Sequence, residues 1–203
     1  MTSDQRRRSL DELLPAVVTL FTERGYDATS MEDIARATGR TKSSVYHHVS
    51  GKEELLRLAV ARAVDALSAV LAEPAAVQGR AVDRLEHAVR RSVEVLAEQQ
   101  PYVTLLLRVR GNTGAEQWAL AQRRELDRRL TELVTAAMAE GDLRADLDPR
   151  LVTRLLFGMV NSLVEWWRPI GPQAVSDVAE GLVAVVFAGL RGAGPPSSAT
   201  VQA

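Results

Sequence analysis

The sequence predicts an all-α protein of nine helices. Prolines and glycines punctuate the chain at helix-length intervals. Between them, apolar residues recur at three- and four-residue spacing, and no Val/Ile/Thr-rich alternating run stands between turn signals. The 203 residues amount to one to one and a half domains, and 46% hydrophobic with 25% charged residues is globular composition rather than disorder.

Taken in order, Ser9 to Arg24 carries Leu10, Leu13, Leu14, Val17, Val18, Leu20 and Phe21 at helical spacing and stops at Gly25. Pro15 interrupts this pattern, because it removes a hydrogen bond and crowds the carbonyl of Asp11. Ser9 with Glu12 resembles a capping box. Either the helix is kinked at Pro15, or it starts near Asp11 with Pro15 in its first turn; the later start is preferred. Ser30–Thr38 and Lys42–His48 are two short helices. Lys52 to about Leu71 is a longer one, stopped near Pro74. Arg80–Gln99, Pro101–Arg110, Ala115–Glu140, Pro149–Trp167 and Gln173–Leu190 follow. Pro101 and Pro149 suit first helical turns, Asp148 is a good N-cap, and Gly141 suits the left-handed position past a helix end. Residues 192–203 contain few large apolar side chains and are expected to be a disordered tail.

Composition excludes several functions. The chain has no cysteine, which rules out disulfides, thiolate metal sites and cysteine nucleophiles. No G-x-S-x-G, P-loop or H-E-x-x-H is present. Of the three histidines, His47 and His48 are adjacent and His87 stands alone, so no catalytic triad or metal set can be assembled. An enzyme is not expected, and no cofactor or metal either. No apolar run approaches the ~18 residues of a membrane span, and Met1–Leu14 lacks the apolar stretch of a signal peptide. The protein is expected in the cytoplasm.

The informative stretch is 25–56. Two short helices flank Gly39-Arg40-Thr41, the spacing of a helix-turn-helix. From Ile34 through Lys52 there is no acidic residue, while Arg36, Arg40, Lys42, His47, His48 and Lys52 lie within it; Lys42 and Lys52 are the chain's only lysines. Against a net charge of −1, this local excess is the footprint of a phosphate-binding surface. Thr41, Lys42, Ser43, Ser44 and His47 are of the size and polarity to reach base edges, and Tyr46 offers a hydroxyl to a phosphate or a ring face to a thymine methyl. The alternative is a solvated polar helix in an ordinary bundle.

Phe21, Gly25-Tyr26, Thr29-Ser30-Met31, Asp33-Ile34-Ala35, Gly39, Ser44 through Val49 and Lys52-Glu53-Glu54-Leu55 resemble the DNA-binding domain of the TetR family of bacterial regulators. The resemblance implies a DNA-binding domain in residues 1–52 and a ligand-binding and dimerisation domain in 53–191. It also implies that Tyr46 and His48 contact the DNA backbone. Thr29 or Ser30 caps the second helix and can bond a phosphate, and Lys52 at the start of the fourth can do the same. His48 can instead pack between helices. Arg6, Arg7 and Arg8 either lie along DNA as a basic arm or are solvated.

The last two helices have apolar residues on more than one face, Leu151 to Trp167 and Val175 to Leu190, which is too many for one buried stripe. In the resembled family two such helices join a symmetry mate, so a homodimer on a palindromic double-stranded DNA operator is expected; the alternative is burial of both faces within one protomer. A small-molecule effector is expected in the C-terminal half, in a pocket placed by position alone at Leu105, Leu106, Trp118, Phe157 and Trp166, with Arg108 able to meet a phosphate. Each of these can also be plain core or a surface ion pair. The segment Trp166–Pro172 resembles one found in family members that respond to acyl-CoA thioesters, which names one candidate effector class. The reading is a ligand-responsive transcriptional regulator, a repressor; the rival is a helical ligand-binding or scaffold module that does not touch DNA.

Overall fold

The computed structural model describes residues 3–168 and 174–191. The expected tail, 192–203, lies outside the described residues, as do 169–172 of the Trp166–Pro172 segment and Gln173, the expected start of the last helix. Among the described residues there are ten α-helices and no strand: α1 Ser3–Glu23, α2 Met31–Ala37, α3 Lys42–Tyr46, α4 Lys52–Val70, α5 Pro74–Val77, α6 Ala81–Glu98, α7 Gln100–Arg108, α8 Gly114–Ala139, α9 Pro149–Trp166 and α10 Val175–Leu190. The helix not expected from the sequence is α5, one turn of four residues with Pro74 at its start. A single turn is too short to show a period.

The preferred late start of the first helix is corrected. The helix runs from Ser3 with Pro15 inside it, so residues 6–8 belong to its first turns instead of preceding it; the side chains of Arg6 and Arg7 lie outside the described residues. Pro15 points to solvent while Leu13, Leu14, Val17, Val18 and Phe21 are buried on the other side. The lost hydrogen bond therefore falls on the wet face, where water can satisfy the freed carbonyl.

The spine of the fold is α4. Leu55, Leu56, Ala59, Val60 and Ala63 are essentially inaccessible, and α1, α6, α7 and α8 all pack against this helix. Alanines at 59 and 63 let neighbours approach closely. Helix α6 buries one continuous stripe, including Ala81, Leu85, Ala88, Val89, Val93 and Leu96, as helical periodicity requires.

The α7–α8 connection is organised by one buried carboxylate. Glu116 is 8% exposed. Its oxygens accept the backbone N–H groups of Arg110 (3.2 Å), Asn112 (2.7 Å) and Thr113 (3.1 Å), and Thr113 caps α8 reciprocally. Glu116→Ala leaves these donors unanswered. It is expected to lower stability by about 3 kcal/mol, read as the urea unfolding midpoint, with partial recovery in Glu116→Gln. A loss below about 1 kcal/mol would mean that the connection does not depend on this carboxylate.

Candidate DNA-reading face and effector cavity

Helices α2 and α3 are set by their ends. The Ser30 hydroxyl accepts from Asp33 N at 3.1 Å, while the Asp33 carboxylate accepts from both the Ser30 backbone and its hydroxyl. Those hydrogen bonds from Ser30 hold the Asp33 carboxyl below the usual carboxylate range. Helix α2 ends in a Schellman arrangement: Gly39 adopts φ +63° and Arg40 N reaches the Ala35 carbonyl at 2.9 Å. A side chain at 39 would be strained in that conformation. Thr41 then caps α3 through Ser44 N at 3.1 Å.

The residues expected to meet DNA divide into two sets. Ser30, Thr41, Lys42, Ser43, Tyr46 and His47 are exposed and Ser44 is half-buried, while Val45 beneath them is fully buried. These form one outward polar surface. The others lie within or behind it. Thr29 is 1% exposed, with its hydroxyl on the Gly25 carbonyl at 2.8 Å. Ser30, not Thr29, is the cap. His48 is buried, with Nε2 3.0 Å from the Ser9 hydroxyl. Arg40 donates to the Ser9 hydroxyl at 2.5 Å and to Glu12 at 2.9 Å. Lys52 donates to the carbonyls of Tyr26 (2.7 Å) and Asp27 (3.4 Å), and its ammonium lies 4.3 Å from the Tyr26 ring centre.

Ser9 and Glu12 are the functional residues that the sequence reading missed. They do not form a capping box; α1 has already begun at Ser3, and both side chains reach across to Arg40 instead. They fasten the recognition unit to α1. Nothing local in the sequence signals this, because the partners are 28 to 39 positions away.

The rest of the molecule grips this unit through α4. Glu53 accepts from Ala115 N, at the start of α8, at 2.9 Å. One turn later the Arg57 guanidinium lies over the Trp118 ring, 3.1 Å from its centre. Arg108 at the end of α7 donates to the Thr22 carbonyl of α1 at 3.2 Å.

Between α4, α6, α7, α8 and α9 lies a cavity of about 80 Å³. Leucines 67, 71, 96, 106, 126 and 130 with Phe157 and Val160 give it apolar walls, and Ser92, Arg123, Asp127 and Asn161 give it a polar side. This is the composition of a small-molecule site. Of the residues expected there, Leu106 and Phe157 line it. The other four do not line it. Leu105 is buried in the core, Arg108 ties α7 to α1, Trp118 lies under Arg57, and Trp166 is 60% exposed on the outside of α9. With it on that outer side lie the exposed side chains of Leu151, Leu155 and Met159, and Val185 on α10 is 69% exposed. Met159, Trp166, Leu182 and Val185 share one groove there.

Residues 13–59 match the model for bacterial regulatory proteins of the tetR family, and residues 78–190 match that for the tetracyclin repressor-like C-terminal domain. The transcriptional repressor KstR2 of Rhodococcus jostii is 31% identical over 184 residues, which cover 88% of this chain and 89% of that protein. The crystal structure of SCO3833, a TetR-family member from Streptomyces coelicolor A3, superimposes with a TM-score of 0.83 at 56% identity, over 89% of this chain and 91% of that one. AibR, solved in complex with isovaleryl coenzyme A and operator DNA, superimposes with a TM-score of 0.77 at 26% identity, over 90% of this chain and 98% of the other. Together with the outward polar face of α2–α3, these matches place the chain in the TetR family of bacterial transcriptional regulators.

Proposed function

We propose that this protein represses transcription in the cytoplasm as a homodimer on a palindromic double-stranded operator, and that a small molecule entering the cavity releases it. Residues 1–52 act as the DNA-binding domain and 53–191 as the effector and dimerisation domain. The observation that carries the reading is the exposed, acid-free surface of α3 and its flanks. In a chain of net charge −1, stability alone gives no reason to gather lysine, histidine and hydroxyl groups there. Thr41, Lys42, Ser43, Ser44 and His47 read base edges. Ser30, Tyr46 and the half-buried Lys52 meet phosphates, while Thr29, Arg40 and His48 hold the geometry from behind. An acyl-CoA thioester is the favoured effector class, supported by the AibR complex and the sequence of Trp166–Pro172.

Coupling runs along α8. The cavity touches its middle at Arg123, Leu126, Asp127 and Leu130, and its first residues hold Glu53 and Arg57 of α4. An effector that displaces α8 shifts the start of α4, and with it the reading face. Operator and effector then weaken each other's binding by the same factor, as linkage requires.

The test is selection of an operator from random DNA, followed by a salt series on variants. Lys52→Ala is expected to weaken specific and nonspecific binding by a similar factor and to make the log–log salt slope shallower by about one unit. Lys42→Ala should instead change the preferred sequence. If Lys52→Ala lowers affinity with an unchanged slope, its ammonium only latches Tyr26 and Asp27 and meets no phosphate. A protein that selects no sequence and shows no salt-dependent DNA binding is the scaffold module of the rival reading.

A further inference from the structure

The seam between α8 and α9 continues past the cavity. Asp127 belongs to the cavity wall and also to the wall of a surface groove of about 630 Å³. The charged side chains of that groove are Arg124, Arg128, Arg150 and Arg154 against Asp127 and Glu132. Arg128 is taken up by Glu125 and Glu132. Among the described residues, Arg124, Arg150 and Arg154 make no hydrogen bond or close ion pair; Arg154 feels only the longer-range charge of Asp127.

This arrangement has a cost. Arg150 and Arg154 are one helical turn apart on α9, as are Arg124 and Arg128 on α8, and like charges at that spacing destabilise a helix. The two pairs line the same groove. Exposed guanidinium groups gathered along one groove suit the planar, multidentate recognition of phosphate. The cavity's volume is about half that of the ~150 Å³ void that accepts a benzene ring, so it houses a group of only a few carbons. Asp127 walls both spaces, so a molecule too large for the cavity can extend along the seam to the arginines.

We propose that the effector is a bipartite molecule, with a short apolar group in the cavity and a phosphate-bearing head in the groove on Arg124, Arg150 and Arg154. This rests on the effector-cavity reading above and adds the head site to it. The apolar end gives selectivity for size, and the head gives most of the affinity. Binding is therefore steeply salt-dependent, and neither half alone suffices.

The probes are butyryl-CoA, free coenzyme A and butyrate, titrated calorimetrically into wild-type protein and into the double variant Arg150→Gln/Arg154→Gln. The same preparations are checked for operator affinity and sedimentation. Wild-type protein is expected to bind butyryl-CoA at least tenfold more tightly than coenzyme A and far more tightly than butyrate. The double variant is expected to lose tenfold or more in butyryl-CoA affinity and most of its salt dependence, with unliganded operator affinity and oligomeric state unchanged. Equal butyryl-CoA affinity in variant and wild type overturns the head site while leaving the cavity reading intact. Equal affinity for butyrate and butyryl-CoA overturns it as well. If the wild type binds none of the probes, the proposal is overturned, and operator binding by that same preparation shows that the regulator reading has not failed with it.

Discussion

Val185→Arg is expected to turn the protein into monomers and to remove tight binding to a palindromic operator. Val185 is 69% exposed and shares its groove with Met159, Trp166 and Leu182. A lone protomer tolerates arginine at so open a position, since surface substitutions of this kind change stability by no more than about 0.5 kcal/mol. At a twofold interface the same residue meets its own copy or that copy's apolar surroundings, and an unpaired charge is buried on both sides. Leu182 is a poorer choice on the same helix. At 9% exposed it already packs within its own protomer, so an arginine there damages the fold and the interface together. Loss of the dimer removes the second half-site contact, and with it an affinity factor on the order of 10³ through lost effective concentration. Sedimentation at micromolar concentration and operator binding check both halves. A variant that remains dimeric with an unchanged melting temperature would mean that another surface joins the protomers.

The helices and their ends were largely legible because their causes are local. Pro149 behind the Asp148 cap and the glycine at 141 do in the structure what their chemistry dictates. The misplaced start of α1 has a different origin. A proline inside a helix forbids one hydrogen bond, but whether that matters depends on which face it occupies, and Pro15 occupies the wet one. The reading face divides in the same way. The outward positions of α3 follow from helical spacing around Val45. That Arg40 and His48 converge on Ser9 follows from tertiary packing that no local pattern encodes.

The cavity was the least legible part. Helical periodicity tells which side chains point inward and is silent on whether they meet a neighbour or a void. Leu105 and Leu106 are adjacent and both buried, yet only Leu106 borders the cavity. Aromatic residues drew attention to Trp118 and Trp166 as ligand contacts. Trp118 is instead the platform for Arg57, a group that burial makes less basic than usual. The polar lining residues Arg123 and Asp127 lie on α8, whose many other charges hide them, and Asn161 is a lone amide on the largely apolar α9.

Leu126→Trp is expected to produce a repressor that holds its operator normally and no longer lets go. Leu126 is half-buried and lines the cavity from α8, and the indole can fill that void of about 80 Å³. Overpacking a full core costs about 1–3 kcal/mol, but here the added atoms gain contacts that an empty space lacks, so the melting temperature should stay level or rise. The reading face lies elsewhere, and unliganded operator affinity should remain within about twofold, a shift of roughly 0.4 kcal/mol. The effector, however, must now displace a packed side chain before it can enter. A ligand shifts an equilibrium only by its differential affinity for the two states, so a ligand that cannot bind shifts nothing. The concentration of butyryl-CoA, or of whichever compound releases wild-type protein from DNA, should rise by a factor of about 100 or more, which corresponds to some 2.7 kcal/mol of lost binding. Gel-shift titration of both proteins on one operator reads this directly. Normal release from Leu126→Trp would place the effector somewhere other than this cavity, and the route through α8 to Glu53 and Arg57 would lose its starting point.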